Sequence, residues 1–313
     1  MKTSTHCFNE THEQARLTAQ RFVEREVLPH IDEWEEAGEF PRELYRKAAD
    51  AGLLGVGYPE ALGGTGEGDL FLKVAVSEAL MRSTSGGLVA GLGSHDIALP
   101  PIVKWGPKAM RERVVPEVLR GDAVAALAIT EPGGGADVAN LRTRAEKDGD
   151  HYRINGSKTF ITSGHRADYY TVAVRTGDAG HNGISMMLVE RDTPGFSRGR
   201  MLKKTGWWAS DTAELFFEDV KVPAENLIGQ ENGGFMVIMT NFLQERLMLC
   251  IMGAMTARMA LEKAMDYSRE REAFGRTISG FQVTRHKLVD MATRVELATQ
   301  YTYHCAALMD AGK

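Results

Sequence analysis

The stretch that most restricts what this chain can become is residues 126–137, Ala-Leu-Ala-Ile-Thr-Glu-Pro-Gly-Gly-Gly-Ala-Asp. The apolar run at residues 123–129 has the length of a short buried strand. It ends in a polar, glycine-rich corner running from Thr130 to Gly135. Three successive glycines permit close backbone approach and unusual dihedral angles. Such a corner can aim backbone N–H groups at a planar, hydrogen-bonding ligand. The same residues also make an ordinary turn, and the corner alone does not separate the two.

On either side of this region the periodicity changes. Residues 10–120 read as helices. Ala15, Ala19, Phe22, Val23 and Val27 fall on one helical face, with Leu17 off it. Pro41 suits the first turn of a helix that begins near Phe40. Residues 52–68 form a glycine-rich loop, and residues 69–84 and 86–105 are apolar and helical. His95, inside the second of these, reads as a satisfied core or pocket-wall residue. From residue 122 to 229 strands and turns dominate, with β-rich runs at 168–175, 183–190 and 213–222. Asn155-Gly156 between two such runs predicts a type I′ hairpin turn. Beyond Gly233 two long helical stretches, 233–268 and 282–311, are joined by a turn at 271–279. The expected organisation is α+β: a helical domain at 1–121, an antiparallel β domain at 122–231 and a helical domain at 232–313.

Composition narrows the function classes. A chain of 313 residues, 43% hydrophobic, can bury a core in more than one domain. A net charge of −5 does not argue for a nucleic-acid or anionic-membrane partner. Cys7, Cys250 and Cys305 have neither metal-ligand nor disulfide-framework spacing, which fits a reducing compartment. No apolar run is expected to span a bilayer. The acidic N-terminal segment, with Glu10, Glu13, Glu24 and Glu26, is unlike an organelle presequence, so the expected location is cytoplasmic. No Gly-x-Gly-x-x-Gly lies between a strand and a helix, and Gly156-Ser-Lys-Thr sits in strand-like sequence with the wrong spacing for a P-loop.

Taken together, residues 126–137, the segment Ile-Asn-Gly-Ser-Lys-Thr-Phe-Ile-Thr-Ser-Gly at 154–164, the helix around Glu245 and the run at 269–282 resemble the acyl-CoA dehydrogenase family, nearest its long-chain and isovaleryl branches. The resemblance implies FAD, an acyl-CoA thioester substrate, homo-oligomerisation and an electron-transfer flavoprotein as redox partner. It places Leu127, Ile129, Thr130, Gly135 and Ala136 on the flavin side of the corner, Phe160 and Thr162 near the reactive edge of the ring, and Ala136 also beside the pantetheine. Some family members have Ser where this chain has Ala136, and often Trp where it has Phe160. Phe235 matches a residue that packs on the pantetheine arm, and Met239 and Leu243 are expected near an acyl tunnel. Arg271, Phe274 and Gln282 match residues that reach a partner subunit's FAD, Arg271 at the pyrophosphate. Family members usually carry further helices after this point, so the chain reads as a truncated or naturally short form.

The sharpest candidate is Glu245. It shares a helical face with Ile238, Phe242, Leu249 and Met252. A carboxylate on an apolar face is desolvated and becomes a stronger base. It could equally be a structural partner of a cation such as Arg246. The sequence Gln-Glu-Arg-Leu resembles the branches that put the α-proton base on this helix, with Arg246 either supporting the site or serving a purely structural role. Arg269-Glu-Arg-Glu by itself reads first as a solvated charge run at a helix end, and only the resemblance makes Arg271 a cofactor ligand. Met236, Met239, Met248, Met252 and Met255 suit adaptable packing. The expected reaction is α,β-dehydrogenation of an acyl-CoA to the trans-2-enoyl-CoA. The alternatives are an oxidase that passes electrons to oxygen and a non-catalytic flavin- or acyl-CoA-binding subunit.

Overall fold

The computed structural model describes residues 7–313. The N-terminal helices are α1 (Glu10–Phe22), α2 (Ile31–Ala37), α3 (Glu43–Asp50), α4 (Leu70–Met81), α5 (Gly86–Leu92), α6 (His95–Trp105) and α7 (Lys108–Leu119). Side-chain caps fix where several begin. Asn9 accepts from the N–H of His12 while His12 Nδ1 accepts from Asn9 N–H, closing a capping box on α1. Asp69 caps α4 through Leu72 N–H, and Ser85 caps α5 through Leu88 N–H. The stripe expected on α1 is buried at Ala19, Phe22, Val23 and Val27, and Leu17 lies outside it at 41% exposure. The apolar run at 86–105 is two helices broken at Gly93-Ser94, and this break forms one wall of the site described below.

The middle of the chain forms a sheet of β1 (Ala125–Ala128), β2 (Arg144–Asp148), β3 (His151–Thr162), β4 (Tyr169–Arg175), β5 (Ile184–Glu190), β6 (Phe196–Met201), β7 (Thr212–Pro223) and β8 (Leu227–Ile228). The strand order is β6-β7-β3-β2-β4-β5-β8, with β1 paired to β4. The sheet is mostly antiparallel, as expected, with parallel pairing only where β1 and one end of β2 meet β4. The hairpin expected at Asn155-Gly156 is absent. These residues lie inside the continuous strand β3, where the register with β7 slips between Ile154 and Gly156. Gly156 has φ +147°, and a Cβ there would meet Thr143 Cα at 2.7 Å. The glycine therefore serves a close backbone crossing at a bulge and not a turn. Asn155 uses its amide across the strands, donating to Asp219 Oδ1 and accepting from Asp219 N–H. The tight connection lies one strand-end earlier, where Gly149 at φ +63° links β2 to β3.

One face of the sheet packs on the N-terminal helices, with Tyr170 and Val172 joining Leu88, Phe40 and Val27 in one core. The other packs α6 and α7 through Leu99, Ile102 and Val114 against Ala173, Ile184 and Met186. Two long helices complete the chain: α8 (Gly234–Glu270) and α9 (Gln282–Asp310). Between them β9 (Glu272–Ala273) and β10 (Arg276–Thr277) form a small hairpin, with Phe274 and Gly275 both at positive φ in its turn. Buried Arg258 joins α8 to Glu296 and Thr299 of α9. Tyr303 of α9 donates to buried Glu78 of α4, which also pairs with Arg16. Contrary to the expectation from sequence, α8 is long and apolar enough to cross a membrane, with a window of mean hydropathy 1.4. Its Val237, Ile238, Leu247 and Ile251 are instead buried against the other helices.

Candidate active site

The glycine-rich corner follows β1 directly and is held from beneath. Thr159 N–H donates to Thr130 O at 2.9 Å, so β3 runs on past the corner as its neighbour. Lys158, fully buried, donates to Ile129 O at 3.0 Å and to Glu131 Oε1 at 2.9 Å. Glu131 in turn accepts from the N–H groups of Arg142 and Thr143 at 2.6 and 2.9 Å. Burial drives the Lys158 ammonium down to about 8, with Glu131 opposing that shift. Burial also pushes Glu131 upward, but Lys158 and the Thr143 hydrogen bonds outweigh it and leave the carboxyl below its ordinary value. Three backbone segments thus meet on one buried ion pair, and the outer side of the corner stays open. A Cβ at Gly133 or Gly134 would touch nothing, and Gly135 and Ala136 are exposed. Leu127 and Ile129 turn back into the core.

Two residues farther along β3, Phe160 stands at φ +58° and is 69% exposed, between buried Thr159 and Ile161. An aromatic ring in the left-handed region and in the open is a costly arrangement on a sheet. It leaves a flat apolar face beside the corner. Thr162 then lines a cavity of about 190 Å³ that also contains Glu245. The cavity is walled by α4, the α5–α6 break, one face of α8, and Trp207. Trp207, at φ +58°, presses against the start of α5 so closely that a Cβ at Gly86 would lie 2.3 Å from its Nε1. The loop that carries it is tied to the helical layer by Glu35, which accepts from Trp208 and Ala209 N–H.

Glu245 sits in the cavity wall with Gln244, Met248, Leu249 and Met252 from the same helix. Its Oε2 is buried and has no hydrogen-bond partner among the described residues. Burial raises its pKa, and Arg246 opposes this only in part. Arg246 makes no ion pair with it; the guanidinium lies 5.8 Å from the Phe242 ring centroid, on an exposed side chain. A desolvated, unpaired carboxylate in a cavity is poised to take a proton, which is what the structural alternative for Glu245 would not require.

The other sequence candidates divide. Phe235 is partly buried near the His181 ring, at the entrance end of α8. Leu243 is 57% exposed and does not line the cavity, and Met239 lies in the core. Arg271 caps the far end of α8, 26 residues and so about 39 Å along the helix from Glu245 at 1.5 Å per residue, while Phe274 lies in the hairpin turn beyond it and Gln282 opens α9. All three are exposed, Phe274 at 96%. They cannot serve the cavity of their own chain. Sequence reading missed Lys158, Trp207, Lys73 and Asp96. Lys158 follows a bulge that changes which residues face inward, and Lys73 and Asp96 look like ordinary surface residues of amphipathic helices. His95, expected to be satisfied, has both ring nitrogens against carbonyl oxygens, those of Leu92 and Leu54. No cluster of metal-ligating side chains occurs among the described residues.

Three family descriptions match consecutive parts of the chain: the acyl-CoA dehydrogenase N-terminal domain over residues 9–122, its middle domain over 126–220 and its C-terminal domain over 232–313. The long-chain specific acyl-CoA dehydrogenase of Sus scrofa is 39% identical over 96% of this chain and 70% of its own length. A probable acyl-CoA dehydrogenase structure from Mycobacterium abscessus superposes with a TM-score of 0.96 at 47% identity, covering 98% of this chain and 82% of that one. A glutaryl-CoA dehydrogenase from Mycobacterium smegmatis, solved in complex with FADH2, superposes with a TM-score of 0.92 at 26% identity, covering 99% and 78% of the two chains. With three family domains matched in order and the fold superposing over nearly its whole length, this chain belongs to the acyl-CoA dehydrogenase family, FAD-dependent oxidoreductases acting on the CH–CH group of acyl-CoA thioesters.

Proposed function

We propose that Glu245 is the α-proton base of this dehydrogenase and that the cavity it lines receives the acyl chain. The observation that carries this reading is the buried Glu245 Oε2 without a partner, in one cavity with Thr162. The site's own geometry fits FAD: an open glycine corner beside a flat, exposed Phe160, both within a strand of the cavity. The backbone of Leu127, Ile129, Gly135 and Ala136, with the side chains of Thr130, Phe160 and Thr162, would hold the ring system. When bound, FAD supplies the acceptor for the β hydride, a task no side chain performs. The protein contributes the rest. The apolar walls from Met248, Leu249 and Met252 exclude water from the acyl chain, and Glu245 takes the α proton onto Oε2. Phe235 is placed to pack on the thioester arm. Arg246 would act only on the field around Glu245, and Leu243 fits the rim better than the tunnel.

We further propose that the chain works as a homo-oligomer in which Arg271, Phe274 and Gln282 complete a neighbour's cofactor site. This is supported by the exposure of all three and by the length of α8 that separates Arg271 from Glu245. Arg271 suits a pyrophosphate because its guanidinium offers a fixed charge and a planar fork of donors. Arg271→Ala should weaken FAD binding by about ten- to a hundredfold, the effect of losing one charged hydrogen bond, while acyl-CoA affinity changes little. Flavin absorbance per protein after dilution and gel filtration measures it; unchanged retention removes Arg271 from the site. An electron-transfer flavoprotein is the proposed acceptor, and oxygen consumption during turnover would instead indicate an oxidase.

The reading is tested by anaerobic titration of the flavin-loaded chain with saturated acyl-CoA thioesters. Bleaching of the oxidised flavin band is expected. A band that shifts and never bleaches, with every chain length tried, would leave a binding protein in place of a dehydrogenase.

A further inference from the structure

The wall of the acyl cavity carries more polarity than a hydrocarbon chain needs. Besides Thr162 and Glu245, it includes Lys73 and Ser77 of α4, Asp96 of α6 and Gln244 of α8. Lys73 Nζ donates to Asp96 Oδ1 at 2.8 Å and stands 4.8 Å from the Tyr58 ring centroid, so the ammonium is paired, on a side chain only 11% exposed. Tyr58 O–H donates to the same Oδ1 at 3.4 Å, and His95 Nε2 also lies nearest that atom. Every polar approach to Asp96 therefore ends on one oxygen. Oδ2 has no hydrogen-bond partner among the described residues, and the Asp96 side chain retains 41% exposure. Crowding by protein pushes the Asp96 pKa up, and Lys73, His95 and the Tyr58 hydrogen bond together more than reverse this, so the group is held as an anion. Asp96 lines the cavity beside Gly93 and Ile97. Asp96 also borders a second, smaller cavity of about 30 Å³ lined by Leu53, Leu54 and Val56, and so stands where the two meet.

A saturated chain filling this cavity would strip water from Oδ2 and offer nothing in return, and an unpaired buried acceptor is expensive. A hydroxyl group on the chain would restore the hydrogen bond with Oδ2 and pair with Ser77 or Gln244 besides. We propose that the acyl group this chain dehydrogenates is hydroxylated along its chain, beyond the β carbon, and that Asp96 Oδ2 accepts the hydroxyl proton. This rests on the reading of the cavity as the acyl site of a dehydrogenase. A chain ending in a carboxylate is disfavoured, because the free oxygen is already anionic and Lys73 is already paired.

The test uses the flavin-loaded full chain and sets of acyl-CoA thioesters of equal length: unsubstituted, monohydroxylated at successive carbons from the γ position outward, and carboxylated at the end. At least one hydroxylated isomer should exceed its unsubstituted counterpart about tenfold or more in kcat/KM, with a matching gain in affinity by calorimetry, because a site with a buried polar group penalises a ligand that leaves it unpaired. Lys73→Met combined with Asp96→Leu strands no charge and should reverse the order, lowering the hydroxylated substrate and raising the unsubstituted one. Asp96→Asn should fall between. If the unsubstituted or carboxylated thioesters equal or exceed every hydroxylated isomer with the unaltered chain, or if the double variant preserves the original ratio, the proposal fails while the dehydrogenase reading stands. If no thioester bleaches the flavin, both fail.

Discussion

Replacing Glu245 by Gln should lower the rate of flavin reduction by acyl-CoA by about 10²–10⁴-fold, the usual contribution of a positioned base, while FAD content and thioester affinity persist. The change is nearly isosteric, and Oε2 makes no hydrogen bond in the protein that the amide would lose. The pH dependence follows from the same desolvation. Burial raises the Glu245 pKa, and only the ionised carboxylate can take the α proton. The rate of reduction should therefore fall as pH drops through a value above the ordinary 4.5 of a glutamate. Stability moves in the opposite direction. A carboxyl whose folded pKa is raised contributes stability that is fully present below its unfolded pKa and is lost as pH rises through the folded one. Glu245→Gln should accordingly raise Tm at neutral pH and leave it unchanged in acid. A variant that reduces flavin at the original rate would place the base elsewhere. A fall in Tm at neutral pH would mean that Glu245 has a structural cation after all.

How much of this was legible in the sequence depends on how far apart the cooperating residues lie. The glycine corner and Phe160-Ile-Thr162 were readable because each is a local motif, and the fold joins them through a single backbone contact from Thr159 to Thr130. Glu245 was readable as a charge on an apolar helical face, but its lack of a partner was not, since Arg246 is adjacent in sequence and turns outward in space. Asn155-Gly156 misled because the pair most typical of a type I′ turn also suits a bulge where two backbones cross. Only the proximity of Thr143, thirteen positions earlier, distinguishes the two. Leu243 was placed in the tunnel by sequence neighbourhood, yet on a helix of 3.6 residues per turn Gln244 and Met248 face the cavity and Leu243 does not. Trp207, Lys73 and Asp96 carry no local signal. They become site residues only where the loop after β6, α4 and the α5–α6 break converge. Arg271 and Phe274 show the converse: a local motif that is plain in the sequence yet does not line the cavity of its own chain.

The remaining large effect is expected at Lys158. Lys158→Met keeps most of the side-chain volume and removes the one side-chain cation bonded to Glu131 among the described residues. Breaking a buried ion pair from one side costs about 3–5 kcal/mol, because the surviving charge stays desolvated. Both partners here are buried, at 0% and 8% side-chain exposure, so surface screening does little to reduce that cost. Glu131 would keep the N–H groups of Arg142 and Thr143, but Ile129 O would lose its donor, and the corner would be tied to β3 by Thr159 N–H alone. Combining Lys158→Met with Glu131→Gln removes both charges and should recover most of the stability, since a neutral pair leaves no buried ion. If the ammonium serves only folding, the double variant should also regain FAD affinity. If it holds the Ile129–Thr130 backbone in place for the ring, the double variant should fold well and still bind FAD weakly. Urea unfolding of the FAD-free protein separates the first effect from the second, because bound cofactor would add its own stabilisation. A loss below about 1 kcal/mol in the single variant would mean that water reaches Glu131 and that the corner does not depend on the pair.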